Sequence, residues 1–349
     1  MLLRVVRRAQ GRGRLLAILP VVVVLGLGAC SSDDDEPAGS ATTASTPEDG
    51  QPEVQEYDVP AGSHPHDVAV ADDGTVWYTA QATGKLGRLD PATGKVTEVE
   101  LGDGSSPHGV IMGPDGAPWI TDTGLNAIVH VDPRTSAVRR FEAPAGRRVG
   151  MHTAAFDQKG VLWFTGSDGF YGRLDPTSEP PAMKVYDAPR GAGPYGITVA
   201  PNGDVYFASL GQSYLARVDP ATGAATVIEP PTRGQGTRRA WSDSRGIIWS
   251  SQWNAGQIAS YEPATGEWKE RRLPGDRPQA YAIYVDERDI VWASDFGANS
   301  IVRFDPRTEE FTEFPLPSPN GSVRQLLGRP GEVWGAESSV DKLIVIRTG

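Results

Sequence analysis

The chain has 349 residues, of which 33 are basic and 44 acidic, and its formal net charge is −11. An acidic surface repels phosphate backbones, which excludes nucleic acid as an expected partner. A single Cys cannot form an internal disulfide, whereas 41 Gly and 29 Pro predict very frequent turns.

The first 29 residues are organised like a secretion signal, with five arginines, then an apolar stretch and a small-residue end. The run Leu27-Gly28-Ala29-Cys30 resembles the bacterial lipobox, which implies cleavage before Cys30 and lipidation of its thiol. An uncleaved membrane anchor and a soluble secreted protein are the alternatives. Removing five of the 33 basic residues and none of the 44 acidic ones leaves a net charge of −16.

Residues 30–52 are rich in Ser, Thr, Pro and acidic side chains, and they contain too few apolar residues to form a core. We therefore expect a disordered tether. Together, signal and tether predict an extracytoplasmic protein whose only contact with the bacterial cell membrane is a lipid anchor. We also expect the protein to be a monomer.

An aromatic residue recurs after a Gly-containing turn at intervals of 42 to 44 residues. These marker aromatics are Trp77, Trp119, Trp163, Tyr206, Trp249, Trp292 and Trp334. A second mark, such as "LDPATG" or "VDPRTS", follows the first six of them. A fixed period near forty residues indicates a repeat array.

Each unit shows four short β-branched and aromatic segments between tight turns, as in "HGVIM", "PWITD", "AIVHVD" and "AVRRFEAP". Seven such units predict an all-β, seven-bladed β-propeller over residues 53–349, with an open solenoid as the alternative. The last unit lacks its fourth strand, and a matching segment, "EVQEYDVP", stands at 53–60. We expect this N-terminal strand to complete the last blade and close the ring.

Two sets of equivalent positions are expected to meet at one mouth of the central channel. The first strands begin at the position eleven residues before the marker aromatic, which reads His66, His108, His152, Tyr195, Arg238, Tyr281 and Val323. The second strands end three residues after the aromatic, and antiparallel pairing places this end beside the first strand's start. That position reads Ala80, Asp122, Gly166, Ser209, Gln252, Asp295 and Glu337.

Imidazoles and carboxylates from neighbouring blades are the components of a divalent-metal site or an acid–base pair. We interpret His66, Asp122 and Glu337 as metal ligands and His108 and His152 as catalytic. Side chains that would orient a substrate carbonyl are Tyr195, Arg238 and Tyr281. The alternative is a wet polar mouth whose histidines bind only water. His130 falls at an outer-strand position and is interpreted as a surface residue.

The repeated pattern "PHGV…PDG..W.TD….I…DP" resembles that of the virginiamycin B lyase (streptogramin lyase) family of propellers. This resemblance implies an enzyme that opens cyclic depsipeptides by elimination at the ester, with a divalent cation such as Mg²⁺ held by carboxylates and a His as base. His108, His152 and Tyr195 reproduce the family's His-His-Tyr order. The family's carboxylate positions fall at Gly150 and Gly166.

Two other functions remain open from the sequence. One is a non-catalytic propeller that binds a small cyclic peptide, another small molecule or a partner protein across its mouth. The other is a metal-dependent, lactonase-type hydrolase, which would add water to its product whereas elimination would not.

Overall fold

The computed structural model describes residues 53–348, which consist of β-strands joined by turns. The signal sequence, the lipobox with Cys30 and the tether lie outside the described residues. Within residues 53–348, no helix has the length and apolar character needed to cross a membrane.

The structure contains 28 strands in this range. In chain order they are β1 (Val54–Asp58), β2 (Pro65–Val70), β3 (Val76–Ala80), β4 (Lys85–Asp90), β5 (Lys95–Glu100), β6 (Pro107–Met112), β7 (Pro118–Asp122), β8 (Ala127–Val131), β9 (Val138–Glu142), β10 (Met151–Phe156), β11 (Leu162–Gly166), β12 (Phe170–Asp175), β13 (Ala182–Asp187), β14 (Pro194–Val199), β15 (Val205–Ser209), β16 (Tyr214–Val218), β17 (Ala225–Ile228), β18 (Thr237–Ser242), β19 (Ile248–Gln252), β20 (Gln257–Glu262), β21 (Glu267–Arg272), β22 (Ala280–Val285), β23 (Val291–Asp295), β24 (Ser300–Asp305), β25 (Glu310–Pro315), β26 (Val323–Arg329), β27 (Glu332–Glu337) and β28 (Lys342–Arg347).

These strands form seven four-stranded antiparallel sheets, and each sheet is one blade of a propeller. Blades one to six take consecutive strands, from β2–β5 to β22–β25. Blade seven has the order β1-β28-β27-β26, so the N-terminal strand is its outermost strand. The predicted fold and the predicted ring closure are confirmed.

The marker aromatics pack between blades. Trp77 clusters with Val110 and Ile120 of the following blade, and Trp163 clusters with Ile197 in the same way. The indole N–H groups are also bonded, as where Trp292 Nε1 donates to Asp286 at 2.9 Å. A fully buried Trp contributes roughly 3–5 kcal/mol against truncation to Ala, so these side chains account for much of the cohesion between blades.

Strand pairing brings the two predicted sets of positions to the same end of the channel. Pro107 pairs with Asp122, Ala280 with Asp295 and Val323 with Glu337. In every blade the first strand carries a register shift directly after its start, as between Pro65 and Val68. Such a bulge breaks the strict alternation of side chains between the two faces of the strand.

Buried hydroxyl groups two residues after the marker aromatic connect neighbouring blades, and we call them the inter-blade hydroxyls. Thr121 Oγ1 accepts from the Gly109 N–H at 2.9 Å and donates to the carbonyl of His152 at 2.5 Å. Ser294 Oγ makes the same pair of bonds with Ala282 and Val323. The full set is Thr79, Thr121, Thr165, Ser251 and Ser294.

Candidate functional site

Three histidines from consecutive blades form a continuous stack at the channel mouth. The ring centroids of His66 and His108 are 3.8 Å apart, and so are those of His108 and His152. Tyr195 continues the stack with its centroid 3.7 Å from that of His152. The three imidazoles are 3%, 8% and 5% exposed, respectively. The structure therefore brings the predicted catalytic histidines and His66 together.

Each of these histidines has its Nδ1 atom engaged by the protein. His66 Nδ1 lies 2.8 Å from a carboxylate oxygen of Asp67, and His108 Nδ1 lies 3.0 Å from the carbonyl oxygen of His152. Both partners are acceptors, so Nδ1 carries the proton and Nε2 keeps its lone pair. His152 Nδ1 contacts Thr153 Oγ1 at 2.9 Å.

Burial keeps the three imidazoles neutral. It lowers the pKa of His66, His108 and His152 well below the usual value, and the positive charge of Arg239 acts in the same direction on all three. Neutral imidazoles with a free Nε2 can accept a proton or coordinate a metal ion.

An ion pair that sequence reasoning missed lies beside the histidine stack. Asp67 and Arg239 are joined at 2.8 Å, and both side chains are almost fully buried. Asp67 also receives His66 Nδ1–H, while Arg239 reaches Thr153 Oγ1 at 3.0 Å. One sequence signal could have revealed this pair: Asp67 directly follows His66, and Arg239 directly follows Arg238. The bulge at the start of each first strand brings two consecutive residues to the channel.

The far side of the mouth is built from tyrosines and arginines. The hydroxyl oxygens of Tyr195 and Tyr281 are 2.6 Å apart, and Arg238 Nη2 donates to Tyr195 at 2.7 Å. Arg238 lies over the Tyr281 ring, 3.4 Å from its centroid, and Arg324 contacts the Tyr281 hydroxyl at 3.4 Å. The three predicted orienting residues thus form one cluster. In blade seven, Arg324 joins this cluster, whereas the sequence pattern predicts the preceding residue, Val323, at the mouth.

The two tyrosine hydroxyls differ in acidity. Burial raises the pKa of Tyr195, and the neighbouring Tyr281 adds to this effect. Burial acts in the same sense on Tyr281, but the charges of Arg238, Arg239 and Arg324 outweigh it and lower the pKa of Tyr281. Either hydroxyl can donate in their mutual hydrogen bond, and when Tyr281 donates, the Tyr195 proton is free for another acceptor.

The predicted metal ligands Asp122 and Glu337 do not join His66. One oxygen of Asp122 accepts the backbone N–H groups of Ser106 and Leu125, at 3.0 and 2.9 Å, so its carboxylate holds the loops beside the strand. Glu337 is fully buried against Glu56 of β1, away from the imidazoles, and burial followed by the charge of Glu56 raises its pKa to about 8.

The positions of the family's carboxylates do not accept side chains here. Gly150 has φ +67°, and a Cβ on it would lie 2.7 Å from Ser167 Oγ. A Cβ on Gly166 would overlap the Val149 side chain and carbonyl. Within residues 53–348, the only group of three potential ligands is His66, Asp67 and His108, whose ligand atoms lie within 4.8 Å of one another.

This group is mostly imidazole, whereas Mg²⁺ prefers oxygen ligands. Its one carboxylate is already paired with Arg239. The residues present therefore do not fit the expected magnesium ion.

A cavity lies at the end of the channel opposite the histidine stack. Its volume is about 390 Å³, and its walls are the far ends of the first strands, with Met112, Phe156, Trp241 and Leu327 among the lining side chains. The Asp67–Arg239 pair also borders this cavity, and none of the three stacked histidines does. This partly apolar cavity is thus separate from the three histidines.

Comparison with solved structures supports the fold. Virginiamycin B lyase from Staphylococcus aureus is 20% identical, with a TM-score of 0.78 over 85% of this chain and 99% of that one. A streptogramin B lyase is 22% identical, with a TM-score of 0.77 over 85% and 98% of the two chains. Hydrazine synthase from Kuenenia stuttgartiensis, at 14% identity, reaches a TM-score of 0.67 over 83% and 97%.

A search of curated proteins found no significant match. The model of the virginiamycin B lyase family matches residues 52–346, which cover the propeller from β1 to all but the last residue of β28. The chain therefore belongs to the virginiamycin B lyase family.

Proposed function

We propose that the channel mouth catalyses a carbon–oxygen lyase reaction that opens a cyclic ester, such as a depsipeptide, by elimination. The observation that carries this proposal is the stack of neutral imidazoles, each with Nδ1 engaged and Nε2 free, next to the Tyr195–Tyr281–Arg238 cluster. A proton acceptor and a group of hydrogen-bond donors thus lie next to one another, as elimination requires.

In this mechanism His152 is the base, because it is the histidine adjacent to Tyr195. With Nδ1–H donating to Thr153, its Nε2 takes the proton α to the substrate carbonyl. Tyr195 and Arg238 donate hydrogen bonds to the carbonyl oxygen while negative charge develops on it. The electron pair of the C–H bond forms the double bond, and the β C–O bond breaks, so the ester group leaves as a carboxylate.

His108 supports this base. It donates to the His152 carbonyl, and its ring lies against the His152 ring. The low pKa of these imidazoles keeps them unprotonated at neutral pH, which costs base strength but ensures the reactive form.

The test is incubation with a streptogramin B and mass analysis of the product. We expect a ring-opened product of unchanged mass, and at least a roughly hundredfold loss of rate in His152→Ala. His130→Ala is the matched control, because His130 lies on an outer strand over Trp119 and bonds Asp115. A product heavier by one water would indicate the hydrolase instead.

A binding function without chemistry is the second candidate, and the deep burial of the histidines favours it. In that case ligand would bind to the His152→Ala variant and the wild type alike, and neither would convert it. The expected divalent cation is tested by metal analysis of the purified protein. Rates that increase with added Mg²⁺ and fall with a chelator would restore it to the mechanism.

We also propose that the propeller acts outside the cytoplasm, anchored through lipidated Cys30. The lipobox-like sequence and the acidic tether that follows it support this location.

A further inference from the structure

Positive charge is in excess at the mouth. Three guanidinium groups, those of Arg238, Arg239 and Arg324, surround the tyrosine pair, and Asp67 is the carboxylate next to them. Asp67 is already paired with Arg239. The neighbouring histidines are neutral and cannot balance the remaining charge.

Arg238 and Arg324 have no carboxylate partner within residues 53–348. Arg238 donates to the Tyr195 hydroxyl, lies over the Tyr281 ring and lies 4.9 Å from the Trp253 centroid, while its buried Nε has no acceptor. Arg324 donates to Ser338 Oγ at 2.5 Å and to Tyr281. Aromatic faces hold both cations in place without neutralising them.

A cavity of about 310 Å³ adjoins Arg324. The polar side chains that line it are imidazole, amide, hydroxyl and guanidinium groups, and no carboxylate is among them: they are His64, Gln81, Ser106, Arg324, Ser338 and Ser339. A space lined by hydrogen-bond donors and by the unpaired Arg324 guanidinium suits an anion. Arg238 lies outside this lining, at the Tyr195–Tyr281 hydroxyl pair that Arg324 also contacts.

We propose that Arg238 and Arg324 form an anion site that binds a carboxylate group of the ligand beside the Tyr195–Tyr281 hydroxyl pair. Guanidinium groups match carboxylates in geometry as well as charge. The site deepens the proposed function, since the ester group leaves as a carboxylate and these two arginines would receive it. The two arginines thereby supply positive charge at the site, where the residues present do not fit a magnesium ion.

The test compares benzoate with benzamide, its neutral isostere, by calorimetric titration of the intact propeller. We expect benzoate to bind and benzamide to bind at least tenfold more weakly. Arg238→Gln and Arg324→Gln should each weaken benzoate binding roughly ten- to hundredfold. The control is Arg134→Gln, in an exposed turn, which should bind benzoate like the wild type.

A charge-preserving substitution distinguishes loss of the positive charge from loss of the fold. Arg324→Lys keeps the charge and should retain most of the benzoate affinity, with circular dichroism verifying the fold of every variant. Equal affinity for benzoate and benzamide, or unchanged binding in both Gln variants, would overturn the anion site. Benzoate selectivity without any turnover would instead overturn only the lyase reaction, and turnover without this selectivity would overturn only the anion site.

Discussion

Thr121 shows how single side chains fix the geometry of the mouth. Its hydroxyl connects Gly109 of its own blade to the carbonyl of His152 in the next. Replacing it with Val keeps the shape but leaves the Gly109 N–H without a partner in a buried position. We expect Thr121→Val to lower the free energy of unfolding by about 1–3 kcal/mol in urea titrations.

Thr97→Val is the matched control, because Thr97 is exposed on β5, and it should change stability by less than about 0.5 kcal/mol. Equal changes in the free energy of unfolding for the two substitutions would mean that the inter-blade hydroxyls contribute nothing specific to the contacts between blades.

The sequence predicts which side chains reach the mouth where spacing alone decides the matter. His66, His108, His152, Tyr195 and Tyr281 occupy equivalent positions and do come together. Asp67, Arg239 and Arg324 were missed because regular strands alternate their side chains, whereas a bulge here brings consecutive residues to the channel.

The direction in which a side chain points is harder to predict than its position along the strand. Asp122 stands at the predicted end of its strand, but its carboxylate turns to the backbone N–H groups of the adjoining loops. Loop N–H groups of this kind leave no sequence pattern, so the metal ligands inferred from position alone do not assemble.

Strands and blades, by contrast, follow closely from the pattern of the chain. The tight turns and the marker aromatic place the four strands of blade two within one or two residues, and "PWITD" is β7 itself. Closure by β1 was predictable because the last unit lacks one strand. The side-chain contacts of that closing strand were not predictable, since they join residues nearly 300 positions apart.

The closing blade carries a buried carboxyl whose protonation couples stability to pH. Glu337 has its pKa raised to about 8, chiefly by burial, so it is protonated in the folded protein at neutral pH. Its contribution is complete below its ordinary pKa of 4.5, and it is lost as the pH rises through about 8.

We therefore expect the wild type to lose stability between pH 5 and pH 9, whereas Glu337→Gln should lose little. Near the upper end the variant should be more stable by roughly 5 kcal/mol in denaturant titrations. Glu310→Gln, at an exposed position of β25, is the control and should follow the wild type. Parallel pH profiles for wild type and Glu337→Gln would show that Glu337 is ionised in the fold.

Attachment of the molecule to a membrane is expected to depend on one thiol, because Cys30 is the single Cys of the chain. In the native host, Cys30→Ser should move the protein from the membrane fraction to the soluble extracytoplasmic fraction and abolish labelling by a fatty acid. Ser31→Ala is the control and should remain attached. Membrane retention of an unlabelled Cys30→Ser protein would point to an uncleaved anchor.

The order of side chains around the channel has a consequence for how ligands arrive. Neutral imidazoles occupy blades one to three and unpaired guanidinium groups blades five and seven, on a protein with a net charge of −11. An approaching anion is repelled by most of the surface and attracted at the axis. Its negative end therefore turns toward the arginines before contact. The mouth thus favours one of the two opposite orientations in which an elongated molecule can bind.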